Sequence, residues 1–339
     1  MSRSTQPTDK GKQMKATTRP ARAKALTSLA ATMVAGALAL AACSSGDAKP
    51  ASGESTDGAS GGIASGNATY DEIVNGGPIA DEAAIAGSEW ATKVKESGVL
   101  KVGGTETSEL FSHLDPATGV VTGFDAGLSQ LLARYILGDA SKTELLQVTS
   151  ETREEVLVNG QVDVVFATYS ITPERQERIS FAGPYYSSAA GILVSSDNTD
   201  INGIEDLAGK KVATQAGSTG IATIEEFAPE AEIVALPDHA QAVQSVQQGR
   251  VDAYVIDRTL LQNAVVQNDD LKVVGEVFGP EDPYGIGLQL DSDGVEFVNE
   301  FLQKVVDDGR WLDLWNLTIG ERTGDTAEPT PPVIGVIVE

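Results

Sequence analysis

The sequence predicts an α/β protein of two similar lobes facing each other across a cleft, and three observations point there. The first is the stretch from Thr149 to Tyr186, TSETREEVLVNGQVDVVFATYSITPERQERISFAGPYY. A helix over Glu151–Asn159 stops at Gly160, and an apolar strand follows over Val162–Phe166. After a polar turn, Ala167–Thr172, a second helix opens at Pro173 with Thr172 as its cap. The second observation is that this pattern recurs. Asn159-Gly160-Gln161-Val162-Asp163 answers Gln248-Gly249-Arg250-Val251-Asp252, each a helix stop followed by Val-Asp and an apolar strand. The third is the polar residue closing each strand, Thr168 in the first copy and Asp257 in the second. Open α/β sheets bind ligands at the carboxyl ends of their strands, so two such units imply two lobes that share a cleft.

Arg175 is the residue that fits its surroundings least. A cation in a helix's first turn opposes the macrodipole. Either it is a solvated side chain paired with Glu174 or Glu177, or it faces a carboxylate at the strand's end. A positive Arg175 on one lobe and a negative Asp257 on the other suit a zwitterion.

Several pieces extend the pattern: VTGFDAGL, VDVVFATYSITPERQERISFAGPYY, GIEDLAGKKVATQAGSTG, GRVDAYVIDR and PYGIGL, in this order within Gly98–Gly320. Together they resemble the family 3 extracellular solute-binding proteins, the amino-acid-binding components of ABC importers. The resemblance implies a two-lobed periplasmic-binding-protein-like fold of type II, with a hinge between lobes. It implies an amino-acid ligand and permease subunits as partners, with no cofactor and no catalysis. Arg175 then holds the ligand's α-carboxylate with help from Ser218 and Thr219. Asp257 takes the α-ammonium, and Thr168 and Ser170 complete the hydrogen bonding. Thr149-Ser150-Glu151-Thr152-Arg153 is similar to the glutamate- and aspartate-binding members, whose Arg reaches the ligand's side-chain carboxylate, so glutamate is favoured. A surface Arg153 paired with its acidic neighbours is the plainer alternative. The chain departs from the family in Gly104–Phe111, where Thr105, Glu106, Thr107 and Ser108 replace an aromatic or a basic residue, which puts side-chain specificity in question. Other uses of the scaffold are a surface receptor or adhesin and a dehydratase-like enzyme.

Composition narrows the partners. The 339 residues are 41% hydrophobic and 22% charged, enough for two globular lobes, and carry a formal charge of −25. Such acidity argues against nucleic acid and against binding anionic membrane surfaces by simple electrostatics. The only two His, His113 and His239, stand in no nucleophile or metal motif, and the single Cys excludes Cys-His zinc ligation. The loop Thr214–Gly220, TQAGSTG, aims backbone N–H groups at an anion but lacks the Gly-Lys-Ser/Thr of a nucleotide-binding loop.

Taken in order, residues 1–42 read as a lipoprotein signal peptide. Lys15, Arg19, Arg22 and Lys24 precede the apolar run Ala25–Ala42, and Leu40-Ala41-Ala42-Cys43 resembles a lipobox that makes Cys43 the lipid-bearing N-terminus. The expected location is the extracytoplasmic face of the cell membrane, reached through the lipid anchor alone, with the protein a monomer. Residues 43–69 form a Gly/Ser/Ala-rich tether. Residues 70–98 are an extension, part helical, with Ile85, Trp90 and Val94 on one face. Lobe 1 comprises 99–190 and 284–320, and lobe 2 comprises 191–283. Within lobe 1, Val99–Gly103 is a strand, Asp115–Gly123 a turn-rich hairpin, and Asp125 the cap of a helix running to Tyr135. Lobe 2 contains a short helix at Ile204–Leu207, strands at Lys211–Ala213, Ile233–Leu236 and Leu271–Glu276, and a helix at Ala240–Gln248. Gly191–Ser195 and Tyr284–Leu290 are placed at the crossings between lobes. Val295–Asp307, with Trp311 and Trp315 as core anchors, closes the fold, and residues 321–339 form a tail expected to be poorly ordered.

Overall fold

The computed structural model describes residues 69–324 and 329–336, so the expectations for the signal peptide, Cys43 and the tether through residue 68 lie outside the described residues. The described chain begins with three short helices, α1 Tyr70–Asn75, α2 Glu82–Ala86 and α3 Glu89–Ser97. Thr69 and Glu72 close a reciprocal capping box at the start of α1. Ile85 and Val94 are buried. Trp90 packs against Phe297 at 6.2 Å, and its Nε1 donates to the Asp163 carbonyl at 3.3 Å.

The first half of the sheet is built from β1 Leu100–Gly104, β5 Thr143–Gln147 and β6 Val164–Val165. Between β1 and β5 lie the small strands β2 Thr107–Ser108, β3 Ser112–Leu114 and β4 Val121–Thr122, followed by α4 Phe124–Leu137. Helices α5 Arg153–Val158 and α6 Pro173–Gln176 flank β6, and β7 then runs unbroken from Ile179 to Ser195. The second half follows as β8 Lys211–Gln215, α7 Gly220–Phe227, β9 Glu232–Leu236, α8 His239–Gln247, β10 Ala253–Asp257 and α9 Arg258–Gln267. Strand β11, Leu271–Gln289, then returns to the first half, where α10 Gly294–Asp307 and α11 Arg310–Trp315 close it.

The strand order is β5-β1-β6-β11-β7-β10-β8-β9. Strand β1 is parallel to β5 and β6 on one side, and β8 is parallel to β9 and β10 on the other. The long strands β7 and β11 run antiparallel from Ile179–Gln289 to Ser195–Leu271. They join β6 at Gly287 and β10 at Ala190–Leu193. Each therefore begins in one half and ends in the other, and two parallel sheets share one pair of crossing strands. Crossings that the sequence places at two short segments are parts of these continuous strands.

The internal repeat has a physical basis. Gly160 and Gly249 both adopt positive φ, 65° and 63°, which a Cβ would strain. Three residues on, Asp163 and Asp252 play the same part in the two halves. The Asp163 carboxylate accepts from Lys101 N at 2.8 Å, and its own N–H donates to the Lys101 carbonyl at 2.9 Å. The Asp252 carboxylate accepts from Lys211 N at 2.8 Å, with its N–H on the Lys211 carbonyl at 2.8 Å. Each Asp pins the strand it precedes to the strand that opens its half. Asp163→Ala is expected to lower stability by about 1–2 kcal/mol, with a smaller loss for the more exposed Asp252→Ala; urea unfolding midpoints check both.

Several local expectations are corrected. Helix α5 starts at Arg153, not Glu151, because Ser150–Thr152 turn back through a Thr149 N–H to Thr152 Oγ1 bond of 2.9 Å. The ladder of β6 is shorter than Val162–Phe166 because Asp163 bonds Lys101. Strand β5, which carries little alternation, has no counterpart among the strands the sequence predicts. Helix α4 has Gly123 as its N-cap, with no side-chain cap bond, so Asp125 is not the cap. Tail residues 329–336 dock locally: the Gly335 N–H donates to the Gly183 carbonyl at 2.8 Å, and Ile334 packs on the main core. Trp311 and Trp315 are core anchors as expected. The Trp311 ring meets Phe124 edge-on at 5.5 Å, and its Nε1 donates to the Tyr185 carbonyl at 2.8 Å. Among the described residues no helix is long and apolar enough to cross a membrane.

Candidate functional site

The carboxyl ends of β1, β6 and β8 converge where the two halves meet. A cavity of about 120 Å³ lies there, lined among others by Ser108, Ser150, Arg153 and Thr168 from the first half and by Gln215 and His239 from the second. Two buried polar atoms of this lining have no hydrogen-bond partner, Ser108 Oγ and Arg153 Nε. Buried polar atoms are normally satisfied, so two unpartnered ones on residues of a cavity lining single out this region for a polar ligand.

Arg153 carries the most informative chemistry. It is 3% exposed, and its Nη1 donates to the carbonyls of Ala167 (2.7 Å) and Thr168 (3.3 Å). Its guanidinium lies 4.0 Å from the centre of the Tyr169 ring, and that of Arg175 lies 5.2 Å from the same ring. Burial, then repulsion from Arg175, pushes Arg153 down to about 9, while Asp282 and Asp257 pull the other way. Among the described residues no carboxylate forms an ion pair with it, so the surface-pair alternative does not hold.

Arg175 bridges the halves. Thr172 Oγ1 caps its helix, accepting from the Arg175 N–H at 3.3 Å. The side chain donates from Nη1 to the Ser170 carbonyl at 2.7 Å and from Nη2 to the Gly217 carbonyl at 3.0 Å. Neither Glu174 nor Glu177 pairs with it among the described ion pairs. The halves come close here: Gly217 has φ 71°, and a Cβ on it would lie 3.1 Å from Glu151 Cα.

Asp257 ends β10 and is 6% exposed. It makes no cap bond to α9, and Arg258 does not pair with it among the described residues but donates to the Gly275 carbonyl at 3.0 Å. Burial, then the neighbouring Asp282 carboxyl, pushes Asp257 well above the usual carboxylate range. Asp257, Asp282 and Thr219 line a second cavity of about 250 Å³. The Thr219 hydroxyl donates to Asp282 at 2.8 Å, and the Ser218 hydroxyl donates to the Gln215 carbonyl at 2.7 Å while accepting from Gly220 N at 3.2 Å. Ser170 is buried and forms a backbone bridge to Tyr284. The structure thus brings Arg153 and Thr168 to one cavity, Thr219 and Asp257 to the other, and Arg175 with Ser170 across the junction.

Sequence reasoning missed Gln215, Tyr254, His239 and Asp282. Ser150 Oγ donates to Gln215 Oε1 at 3.2 Å, and Gln215 Nε2 donates to Tyr254 Oη at 2.9 Å, with His239 Nδ1 3.2 Å beyond. Burial pushes His239 down to about 4, so it is neutral at ordinary pH. Gln215 had a legible signal, since it ends a strand two residues before a Gly in the predicted anion loop. Asp282 had none, because its place depends on the path of β11 through the junction. Among the described residues no group of three or more His, Cys, Asp or Glu is placed to hold a metal ion.

The family model of the bacterial extracellular solute-binding proteins, family 3, matches residues 100–316. The chain belongs to that family. Among the relatives of this solute-binding protein is the ABC transporter glutamine-binding protein GlnH of Bacillus subtilis (strain 168). It is 31% identical over 230 residues, covering 67% of this chain and 84% of that protein. The glutamate-binding protein GluB of Corynebacterium glutamicum is 30% identical over 248 residues, covering 70% and 83%. A solved solute receptor for L-cysteine of Neisseria gonorrhoeae superposes with a TM-score of 0.67 at 25% identity, covering 70% of this chain and 97% of that one. The fold is that of the type II periplasmic amino-acid-binding proteins, as the sequence pieces implied. One Asp125-dependent property follows from the same geometry. Burial raises the Asp125 carboxyl to about 7 against hydrogen bonds from Thr168 and Tyr185 and the charge of Arg153. A carboxyl raised in the folded state contributes stability that is full below its unfolded pKa and lost as pH rises toward the folded value. The melting temperature of wild type minus that of Asp125→Asn is therefore expected to fall between about pH 4 and about pH 7; a flat difference contradicts it.

Proposed function

We propose that this solute-binding protein is the extracytoplasmic, lipid-anchored receptor of an ABC importer and that it binds glutamate by closing its two halves around it. The observation that carries the ligand is a charge count. Arg153 and Arg175 are two guanidiniums without a carboxylate ion-pair partner among the described residues, and in the second cavity Asp257 stands beside Asp282, burial and that neighbour driving Asp257 toward its neutral form so that the two acids act together as one charge. Glutamate presents two carboxylates and one ammonium in the complementary sense. Arg175 takes the α-carboxylate as a bidentate fork, Ser218 and Thr219 assist from the second half, and Asp257 takes the ammonium. Thr168 and Ser170 complete the hydrogen bonding, and Arg153 with Ser108 receives the side-chain carboxylate.

The lobes in this reading are 99–190 with 284–320, and 191–283. Residues 1–42 are the signal peptide and Cys43 the lipidated terminus. Glutamine is the second reading, favoured by the glutamine-binding relative and by the amide of Gln215 at the cavity wall. Isothermal titration with both amino acids decides. Glutamate is expected to bind at least tenfold more tightly, and tighter glutamine binding removes the assignment. Anchoring is tested separately, since Cys43→Ala should leave the membrane pellet on washing.

A further inference from the structure

Asp125 is 1% exposed and takes part in no helix cap, yet both of its oxygens are occupied. One accepts from the Thr168 N–H at 2.8 Å and the other from the Tyr185 hydroxyl at 2.8 Å. Tyr185 is itself fixed from behind, because Trp311 Nε1 donates to its carbonyl. Thr168 is a β-branched residue at φ 43°, in the left-handed region that such side chains avoid. That conformation has a consequence for the cavity: the carbonyls of Ala167 and Thr168 both turn onto Arg153 Nη1. A chain of contacts therefore runs Trp311, Tyr185, Asp125, Thr168, Arg153, from the core of the first half to the ligand cavity.

We infer that Asp125 is a positioning residue of the ligand site: by holding the Thr168 N–H it keeps Thr168 left-handed, so that the two carbonyls aim the Arg153 guanidinium into the cavity. Asp125 does not itself line the ligand cavity and acts only through Thr168. The affinity part of this inference rests on the proposed role of Arg153 and Thr168 in binding; the conformational part does not. The groups facing Asp125 are the Tyr185 hydroxyl from β7, the Arg153 guanidinium from α5 and, along the groove it shares with α1 and the β1–β2 loop, Tyr70, Asp71 and Glu106.

Two measurements test it. The first needs no ligand and no variant. In amide NMR of the wild-type protein, the Thr168 N–H should resonate downfield and titrate with the Asp125 carboxyl, with a midpoint near 7. A Thr168 amide that does not move with pH overturns the inference, whatever the protein binds. The second is a double-mutant cycle read as the dissociation constant for L-glutamate. Asp125→Ala should weaken binding at least tenfold in the wild-type background and less than threefold in the Thr168→Gly background, where glycine adopts positive φ unaided. Equal losses in both backgrounds mean that Asp125 acts through α4 or Tyr185 and contradict it. If Asp125→Ala does not fold, Asp125→Leu, of similar size and with no acceptor for the Thr168 N–H, takes its place in the cycle, with circular dichroism confirming the fold. A wild-type protein that ignores glutamate while its Thr168 amide titrates as described refutes the ligand assignment and leaves the positioning role standing.

Discussion

Asp257→Ala is expected to abolish amino-acid binding while leaving the unliganded protein as stable as before or more so. The opposite signs come from one cause. Asp257 is buried beside Asp282, and burial with a second acid at hand drives it toward its neutral form in the absence of a cation. An apolar replacement removes that penalty. In the complex, the same substitution leaves the ligand's ammonium buried without its partner, which costs roughly 3–5 kcal/mol, or about a hundredfold to several thousandfold in affinity. Calorimetric titration and thermal unfolding of the same sample separate the two effects. Retained affinity moves the ammonium site elsewhere, and Asp282 is then the next residue to test. Arg175→Ala should be equally damaging to binding but should also loosen the unliganded protein, because it removes the bridge from Ser170 to Gly217.

Arg153→Met is expected to convert a selective site into a permissive one. The guanidinium is buried with an orphaned Nε and, among the described residues, no carboxylate ion pair; burial and the charge of Arg175 lower its pKa and cost stability in the empty protein. The account explains its presence by a carboxylate that arrives with the ligand. Methionine keeps the packing on Tyr169 and removes the charge, so glutamate affinity should fall about a hundredfold or more while glutamine affinity changes by less than about tenfold. A parallel loss for both amino acids makes Arg153 a structural strut for the Ala167 and Thr168 carbonyls. Unchanged affinity for both removes it from the site.

The legible parts of this molecule are those whose cause is local. The helix stop at Gly160 and its repeat at Gly249 announced two related halves because each glycine needs a positive φ and each following Asp pins a strand. The Thr172-Pro173 start of α6 was readable because cap and first-turn chemistry is written within four residues. What escaped the sequence depends on distant chain. Asp125 looks like a cap, and its actual partners are 43 and 60 residues away. Strand β5 is exposed along much of its length and shows no clean alternation, so only its pairing to β1 makes it a strand. Asp282 and Gln215 reach the junction because β11 and β8 deliver them there. Arg153 and Arg175 are ambiguous by pattern, since a surface helix and a cleft both tolerate Arg beside Glu; the structure buries Arg153 and leaves Arg175 half-buried, with no ion pair to either among the described residues.

The central claim is that one amino acid is held by residues of both halves, Arg153 and Arg175 from the first and Asp257 from the second, and that closure of the halves encloses it. Small-angle scattering of the domain from about Tyr70 onward, with and without saturating L-glutamate, tests this most directly. The account predicts a smaller radius of gyration with glutamate, an effect lost in Asp257→Ala. An unchanged radius at saturating glutamate, with binding confirmed in the same sample, contradicts it.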